Sequence, residues 1–354
     1  MLTIFIGPKN EPVTGQSLCF ALAYEGFEST KTKICYGGYG VSMLFSNIFL
    51  LIKLLYVILS TSGPKIVYIT TSRSLLGFSR DFIVINLCRL FSVKVVNHLH
   101  GADFLSFRNS ISRFFRFFLD YTYTYINTSI VLLESMKEQY SMYPMMRIVC
   151  LSNCLVDEYA IKKKYNGTLR IIFLSNIMYS KGIIYLINAV DYLKEAGYDV
   201  HLNIAGKVLA DDYMSLSEIS NIFYDLIKDK EYITFHGVVS GSYKKELLSE
   251  SDFFILPSFY KMEAQPLSII EAMSAGCVII TTDHNYLKDF VCNKNGCLIA
   301  IKSHEEISNA ILQFYRNHSL VQSIIDYNLC VALEKFSRHE FNSKLKSIIL
   351  GSIS

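Results

Sequence analysis

The chain has 354 residues, enough for two domains of ordinary size with a core each, and 51% of them are hydrophobic. Its formal net charge of +3 is uneven: residues 1–164 carry 17 Lys and Arg against 10 Asp and Glu, and residues 165–354 carry 17 against 21. No dense basic cluster with interleaved aromatics marks a nucleic-acid groove, so the basic half points to an anionic surface or substrate instead. The nine cysteines are scattered, without CxxC spacing or matching histidines, which predicts reduced thiols in a cytoplasmic protein rather than disulfides or zinc. The opening MLTIFIG has no basic leader and runs directly into a strand-like stretch, so no signal peptide is expected.

In chain order, residues 2–6 read as a first buried strand. The loop GPKNEPVTGQS follows, and Gly15 stands before the helical run SLCFALAYE. Residues 43–59 are apolar over about the length of a membrane span, at ~1.5 Å per residue. Lys53 sits in their middle, and Ser42, Ser46, Lys53 and Ser60 share one stripe, so we expect a helix that is buried or lies in an interface. KIVYIT (65–70) and VKVVNHLH (93–100) read as strands. His98 and His100 share a face of the second, but no third ligand at suitable spacing makes a metal site. His100 closes that strand before Gly101, at a carboxyl edge. Over 106–120, Phe107, Ile111, Phe114 and Phe118 fall on one helical face with Arg113 and Arg116 opposite, which predicts a core-facing helix. Phe115 and Phe117 widen that face and leave a second reading open: contact with anionic phospholipid or a lipid-diphosphate acceptor. INTSIVLLE (126–134) is another buried strand. DEYAIKKKYNGT (157–168) breaks the apolar rhythm and reads as a linker. The expected domains are therefore 1–160 and 161–330, with 331–354 as a terminal helix.

RIIFLS (170–175) opens a second sheet. Lys181-Gly182 then begins a loop-to-helix passage, where a lysine can reach a diphosphate. VHLNIAG, followed by Lys207, and ITFHGVV are strands ending in glycine. The densest stretch comes last, DFFILPSFYKMEAQPLSIIEAMSAGCVIITTD from Asp252 to Asp283. It reads as strand, loop, helix and strand, the repeating unit of a parallel α/β sheet. Pro257 stops the first strand, Pro266 opens the helix and Gly276 ends it. The amides of Leu267 and Ser268 lie in the first helical turn, an anion site flanked by Glu263 and Glu271. Phosphate-seeking amides between two acceptors for hydroxyls match a nucleotide-diphosphate sugar.

The string LPSFYKMEAQPLSIIEAMSAG, with Glu263 and Glu271 at Glu-x7-Glu spacing, resembles the donor-binding signature of the family-4 retaining glycosyltransferases. Ala264 stands where that family usually has Gly or Pro. The resemblance covers roughly residues 4 to 345. It implies the GT-B fold: two Rossmann-like parallel-sheet domains facing a central cleft, with a C-terminal helix returning to the first. It also implies transfer of a hexose, with retention, from a nucleotide sugar to a hydroxyl of a glycan or lipid-linked acceptor in surface polysaccharide synthesis (O-antigen, capsule or exopolysaccharide). Gly15 would approach the donor diphosphate, His100 would lie over the donor sugar, and Glu263 would meet the hydroxyls of the transferred sugar. Glu271 would hold the ribose, and Lys181 matches the lysine of the family's R….KG element. Asn176 replaces the arginine of that element: either it donates neutral hydrogen bonds instead, or another cation such as Lys207 helps, or donor affinity is low. No DxD triplet occurs in the sequence, so no metal cofactor is expected and Lys181 with helix-terminus amides would stabilise the leaving group. Expected partners are the nucleotide sugar, the acceptor and an anionic inner membrane surface, with the protein peripheral on its cytoplasmic face. A nucleotide-sugar epimerase of the same fold and a catalytically silent sugar-nucleotide-binding subunit are the alternatives.

Overall fold

The computed structural model describes residues 1–10, 14–38, 41–156 and 163–352. Residues 11–13 of the first expected loop and 157–162 of the expected linker lie outside the described residues. The chain separates into two compact units, Met1–Cys154 with Arg338–Ser354, and Leu155–Ser337.

The first unit runs β1 (Leu2–Pro8), α1 (Gly15–Glu25), β2 (Lys31–Tyr36), α2 (Val41–Ser60), β3 (Lys65–Thr70), α3 (Leu75–Leu90) and β4 (Lys94–His98). It continues with α4 (Phe104–Ser110), α5 (Arg113–Tyr123), β5 (Thr128–Val131) and β6 (Arg147–Cys150). Its six strands are parallel in the order β2-β1-β3-β4-β5-β6. Helices cover both faces of such a sheet, which is why KIVYIT is apolar on both sides. In the register, Val67 sits between Ile4 and Val95, all three buried. At roughly 1.5–3 kcal/mol for each fully buried aliphatic side chain, this strand layer supplies much of the unit's core.

Three details of the first unit differ from the sequence reading. The helix expected over 106–120 is broken, because Ile111 and Ser112 are extended and the Ser112 hydroxyl accepts from the Phe115 amide to start α5 afresh. The break turns the second half outward: Phe107 and Ile111 are buried, but Phe114 is 67% exposed instead of core-facing. Arg116 donates to the carbonyls of Arg108 and Asn109 and so caps α4 rather than standing free opposite an apolar face. The third difference is that β4 ends at His98, and His100 follows it in the loop.

The second unit runs β7 (Leu169–Leu174), α6 (Ile183–Glu195), β8 (Val200–Ala205), α7 (Leu216–Ile227), β9 (Ile233–Phe235) and α8 (Gly241–Glu250). Then come β10 (Phe253–Leu256), α9 (Leu267–Ser274), β11 (Val278–Thr282), β12 (Gly296–Ile299), α10 (His304–Tyr315) and α11 (His318–Lys335). Its sheet, again all parallel, has the order β12-β11-β10-β7-β8-β9. The central strand β10 is entirely buried, pairing Phe253 and Phe254 with Ile171 and Ile172 on one side and with Val278 and Ile279 on the other. The last helix, α12 (Arg338–Gly351), belongs to the first unit. It buries Phe341, Leu345 and Ile349 there, and Ser352 Oγ reaches Thr128 Oγ1 at 3.0 Å. Two six-stranded parallel sheets with this returning helix are the GT-B architecture expected from the sequence.

Candidate active site in the second unit

The strand order of the second sheet reverses direction between β7 and β10. Loops leaving the carboxyl ends of strands on either side of such a switch diverge and leave a crevice, where open α/β sheets bind ligands. The loop after β7 carries Lys181 and the loop after β10 carries Glu263. Both side chains are about nine-tenths buried, and Lys181 Nζ lies 2.5 Å from Glu263 Oε2. Ser258 Oγ donates to the same carboxylate oxygen at 2.9 Å. The lysine also lies over the Tyr260 ring, 4.7 Å from its centroid.

The two loops are laced together. The Phe259 amide donates to the Ser180 carbonyl at 2.7 Å, and Asn285 Nδ2, from the loop after β11, braces the second of them by donating to the carbonyls of Tyr260 and Lys261. Gly182 is needed where they meet: its φ is +79°, and a Cβ there would stand 2.1 Å from the Pro257 carbonyl oxygen. The apolar runs of β7 and β10 thus bring residues 82 apart in sequence into one ion pair.

Helix α9 starts directly after Pro266, which serves as its cap residue without any side-chain hydrogen bond. The half-buried Leu267 and Ser268 are its first two residues, so their amides lie at the positive end of the helix. Glu271, one turn on, is buried and 2.5 Å from Lys244 Nζ. The sequence reading did not select Lys244. Its signal was present: Leu247 and Leu248 of α8 are buried, and Lys244 is three and four residues before them, on the same face.

His284 is a second residue that the sequence reading passed over. It lies two residues past β11, where burial lowers its pKa while the backbone of Tyr260 and the charge of Glu263 oppose the shift; its Nε2 has no partner among the described residues. Asn176 and Lys207 are both exposed, on the loops after β7 and β8. An isolated bridge joins those loops between Ile177 and Val208, and the Ile177 amide donates to the Lys207 carbonyl at 2.9 Å. The structure thus brings seven expected residues, Asn176, Lys181, Lys207, Glu263, Leu267, Ser268 and Glu271, to the carboxyl edge of one sheet.

His100 and Gly15 belong to the first unit. The His100 ring stacks on His98 with centroids 4.0 Å apart, and His98 Nδ1 is 2.6 Å from the Tyr68 hydroxyl. Both ring nitrogens of His100 are shielded and lack partners among the described residues. Burial, aided by the Arg73 charge, brings its pKa down to about 3, so the imidazole is neutral at ordinary pH. Gly15 is the first residue of α1 instead of a loop residue. Thr14 accepts from the Ser17 amide in a capping box, which starts the helix there. A Cβ on Gly15 would meet nothing within 4 Å, so packing does not require glycine at this position.

Residues 157–329 match the family model described as glycosyl transferases group 1. An uncharacterized glycosyltransferase of Methanocaldococcus jannaschii, MJ1607, is 27% identical over 171 residues, which are 47% of this chain and 41% of that protein. The putative colanic acid biosynthesis glycosyltransferase WcaL of Salmonella typhimurium is 26% identical over 111 residues, 30% of this chain and 27% of its own length. The chain thus spans less than half of the length of these curated relatives. The crystal structure of Anabaena Alr3699/HepE in complex with UDP superposes with a TM-score of 0.77 at 13% identity, covering 99% of this chain and 100% of that one. The same protein with UDP-glucose gives 0.74. The match of residues 157–329 is thus to the glycosyl transferases group 1, and the fold that carries them is GT-B.

Proposed function

We propose that the chain is a retaining glycosyltransferase that moves a hexose from a nucleotide-diphosphate sugar to a hydroxyl of a glycan or lipid-linked acceptor, in the synthesis of a bacterial surface polysaccharide. The observation that carries this reading is the Lys181–Glu263 pair at the switch point of the second sheet, beside the open amides of α9. Alr3699/HepE, which shares the fold, is solved with UDP-glucose, and WcaL is named for colanic acid synthesis.

In this reading the donor diphosphate lies against the Leu267 and Ser268 amides, and Lys181 turns part of its charge from Glu263 to the phosphate. Glu263 accepts hydroxyls of the sugar, Glu271 accepts those of the ribose, and Lys244 holds Glu271 in place. The bond from the anomeric carbon to the phosphate oxygen breaks, and the acceptor oxygen bonds that carbon on the same face. The acceptor proton passes to the departing phosphate. Lys181 and the amides carry the developing charge without a metal ion.

The uncharged, exposed Asn176 favours one second reading, a silent subunit that binds the donor without turnover. An assay of free nucleotide release separates the two. Release that depends on acceptor, persists in EDTA and yields the retained linkage supports the transferase. Donor binding without release supports the silent subunit. Activity lost in EDTA and restored by Mg²⁺ overturns the role given to Lys181.

A further inference from the structure

The donor site leaves one large surface of the first unit unused. The connections β2 to β3, β3 to β4 and β4 to β5 all step the same way along the sheet, so right-handed crossovers place α2, α3 and α5 side by side on one face. Helix α2 buries Leu50, Leu54 and Ile58 against the sheet and turns Phe45, Phe49, Ile52, Tyr56 and Leu59 outward, each 63% to 69% exposed. Leu76 and Leu90 of α3 and Phe114 and Phe117 of α5 continue this outer face. An apolar surface spanning three helices exceeds the scattered exposure normal for a soluble domain.

Its charges have one sign. Helix α2 contains no carboxylate, Asp81 of α3 is buried against Arg80, and Asp120 of α5 is held by Arg108 at 2.7 Å. Beside the exposed Phe45 and Phe49 a cavity of about 570 Å³ opens between α2 and the edge strand β2, and Lys9, Lys33 and Lys53 line it. None of the described residues that line it is acidic. The charges of all three lysines act on Cys35 between them, holding its pKa below where burial alone would put it. Lys53 Nζ donates to the Lys33 carbonyl at 3.1 Å, which keeps the ammonium in the cavity rather than in open solvent.

We infer that the outer face of α2, α3 and α5 docks on a bilayer of anionic phospholipid, with a lipid phosphate in the three-lysine cavity and Phe45, Phe49 and their neighbours among the acyl chains. Three ammonium groups behind an apolar rim match a phosphate carried on a hydrocarbon tail. A second copy of the chain fits less well, since a symmetric contact would set each cavity against a face with no unpaired carboxylate to answer it. Helix α2 cannot leave the sheet to span the bilayer without uncovering the apolar surface on which Leu50, Leu54 and Ile58 pack, and no helix among the described residues is long and apolar enough to cross a membrane. The inference deepens the proposed function, resting on it only for the reason to dock: an acceptor held at a membrane.

The test is flotation of the full chain with vesicles of phosphatidylcholine, with or without phosphatidylglycerol, alongside turnover on a soluble acceptor. Wild type should float with the anionic vesicles and be released by salt. Each lysine near an anionic surface is worth about fivefold in partitioning. Lys9→Glu should therefore weaken binding about fivefold or more, and Lys9→Glu with Lys53→Glu about 25-fold or more. Phe45→Ser with Phe49→Ser should abolish binding, while Tyr224→Ser on α7 should leave it intact. All four variants should keep wild-type turnover on the soluble acceptor, which also shows that they fold. Equal binding to neutral vesicles, wild-type binding by the lysine or phenylalanine variants, or a dimer in sedimentation from a chain that ignores vesicles would each overturn the docking surface. Absent turnover in a wild type that still floats would refute the transferase and leave the docking surface standing.

Discussion

Lys181→Met tests the buried ion pair separately from any enzymology. The lysine and glutamate side chains are 11% and 9% exposed and 2.5 Å apart, and the Ser258 hydroxyl also donates to the carboxylate. Removing the cation leaves Glu263 charged and poorly solvated, and breaking a buried pair in this way costs about 3–5 kcal/mol. In a unit of this size each kcal/mol shifts the melting temperature by about 2–4 °C, so a loss on the order of 10 °C is expected. Lys181→Met combined with Glu263→Gln removes both charges and keeps most of the volume, and it should recover most of the loss. Urea unfolding of wild type, Lys181→Met, Glu263→Gln and the double variant in the absence of donor gives the double-mutant cycle directly. If Lys181→Met unfolds with wild-type stability, or if the double variant is no more stable than the single one, the pair does not exist in the free protein. The account of the site built on it then falls.

The two glutamates should separate kinetically: Glu271→Ala should raise the donor KM roughly 10- to 100-fold with a modest loss of kcat, whereas Glu263→Ala should lower kcat about a hundredfold with less effect on donor affinity. Steady-state kinetics with isothermal titration of the donor reads both. Lys244→Ala should copy Glu271→Ala in raising KM, by about tenfold, because it frees the carboxylate that would hold the ribose; an unchanged KM would show that Lys244 only packs. His98 and His100 have folded pKa values below the unfolded value of about 6.5, through burial in both cases. The unfolded chain then binds protons that the folded chain refuses, so stability is complete above about pH 6.5 and declines as pH falls toward 3, by about 1.4 kcal/mol per pH unit for each histidine. His100→Asn should reduce that slope in urea titrations at pH 5 and 6, and an unchanged slope would show that His100 is not shielded.

The strands and the anchoring string were legible because they are local. KIVYIT and DFFIL are apolar runs of strand length bounded by turn residues, and they form β3 and β10 where expected. The Glu-x7-Glu spacing fixed which loop and which helical turn carry Glu263 and Glu271. Their pairing with Lys181 and Lys244 was not read from the sequence. Lys181 and Glu263 meet only because β7 and β10 are neighbours across the switch point, and strand order is not a local property. Lys244 was missed because a lysine on an amphipathic helix ordinarily reaches solvent. The break in the 106–120 helix failed to show for a different reason: the apolar spacing persists through Ile111 and Phe114, and one serine hydroxyl capping a backbone amide outweighs it.

These pairings also bear on how a chain with Asn176 in place of the expected arginine would hold a diphosphate. Both glutamates at the site are already matched by lysines, so the crevice carries little net charge from these four groups. A donor whose hydroxyls hydrogen-bond to Glu263 satisfies that carboxylate and loosens its hold on Lys181, which leaves the ammonium available to the phosphate beside it. Under the proposed function, sugar recognition and phosphate recognition would thereby be linked through the one 2.5 Å contact between Lys181 and Glu263. A nucleoside diphosphate lacking the sugar would have to compete with Glu263 for the lysine unaided. The proposed site should therefore bind the intact nucleotide sugar more tightly than the nucleotide alone, and Glu263→Gln should remove that preference by freeing Lys181 for both. Isothermal titration of the two ligands against both proteins measures this. An equal preference in wild type and Glu263→Gln would break the link between the pair and donor recognition.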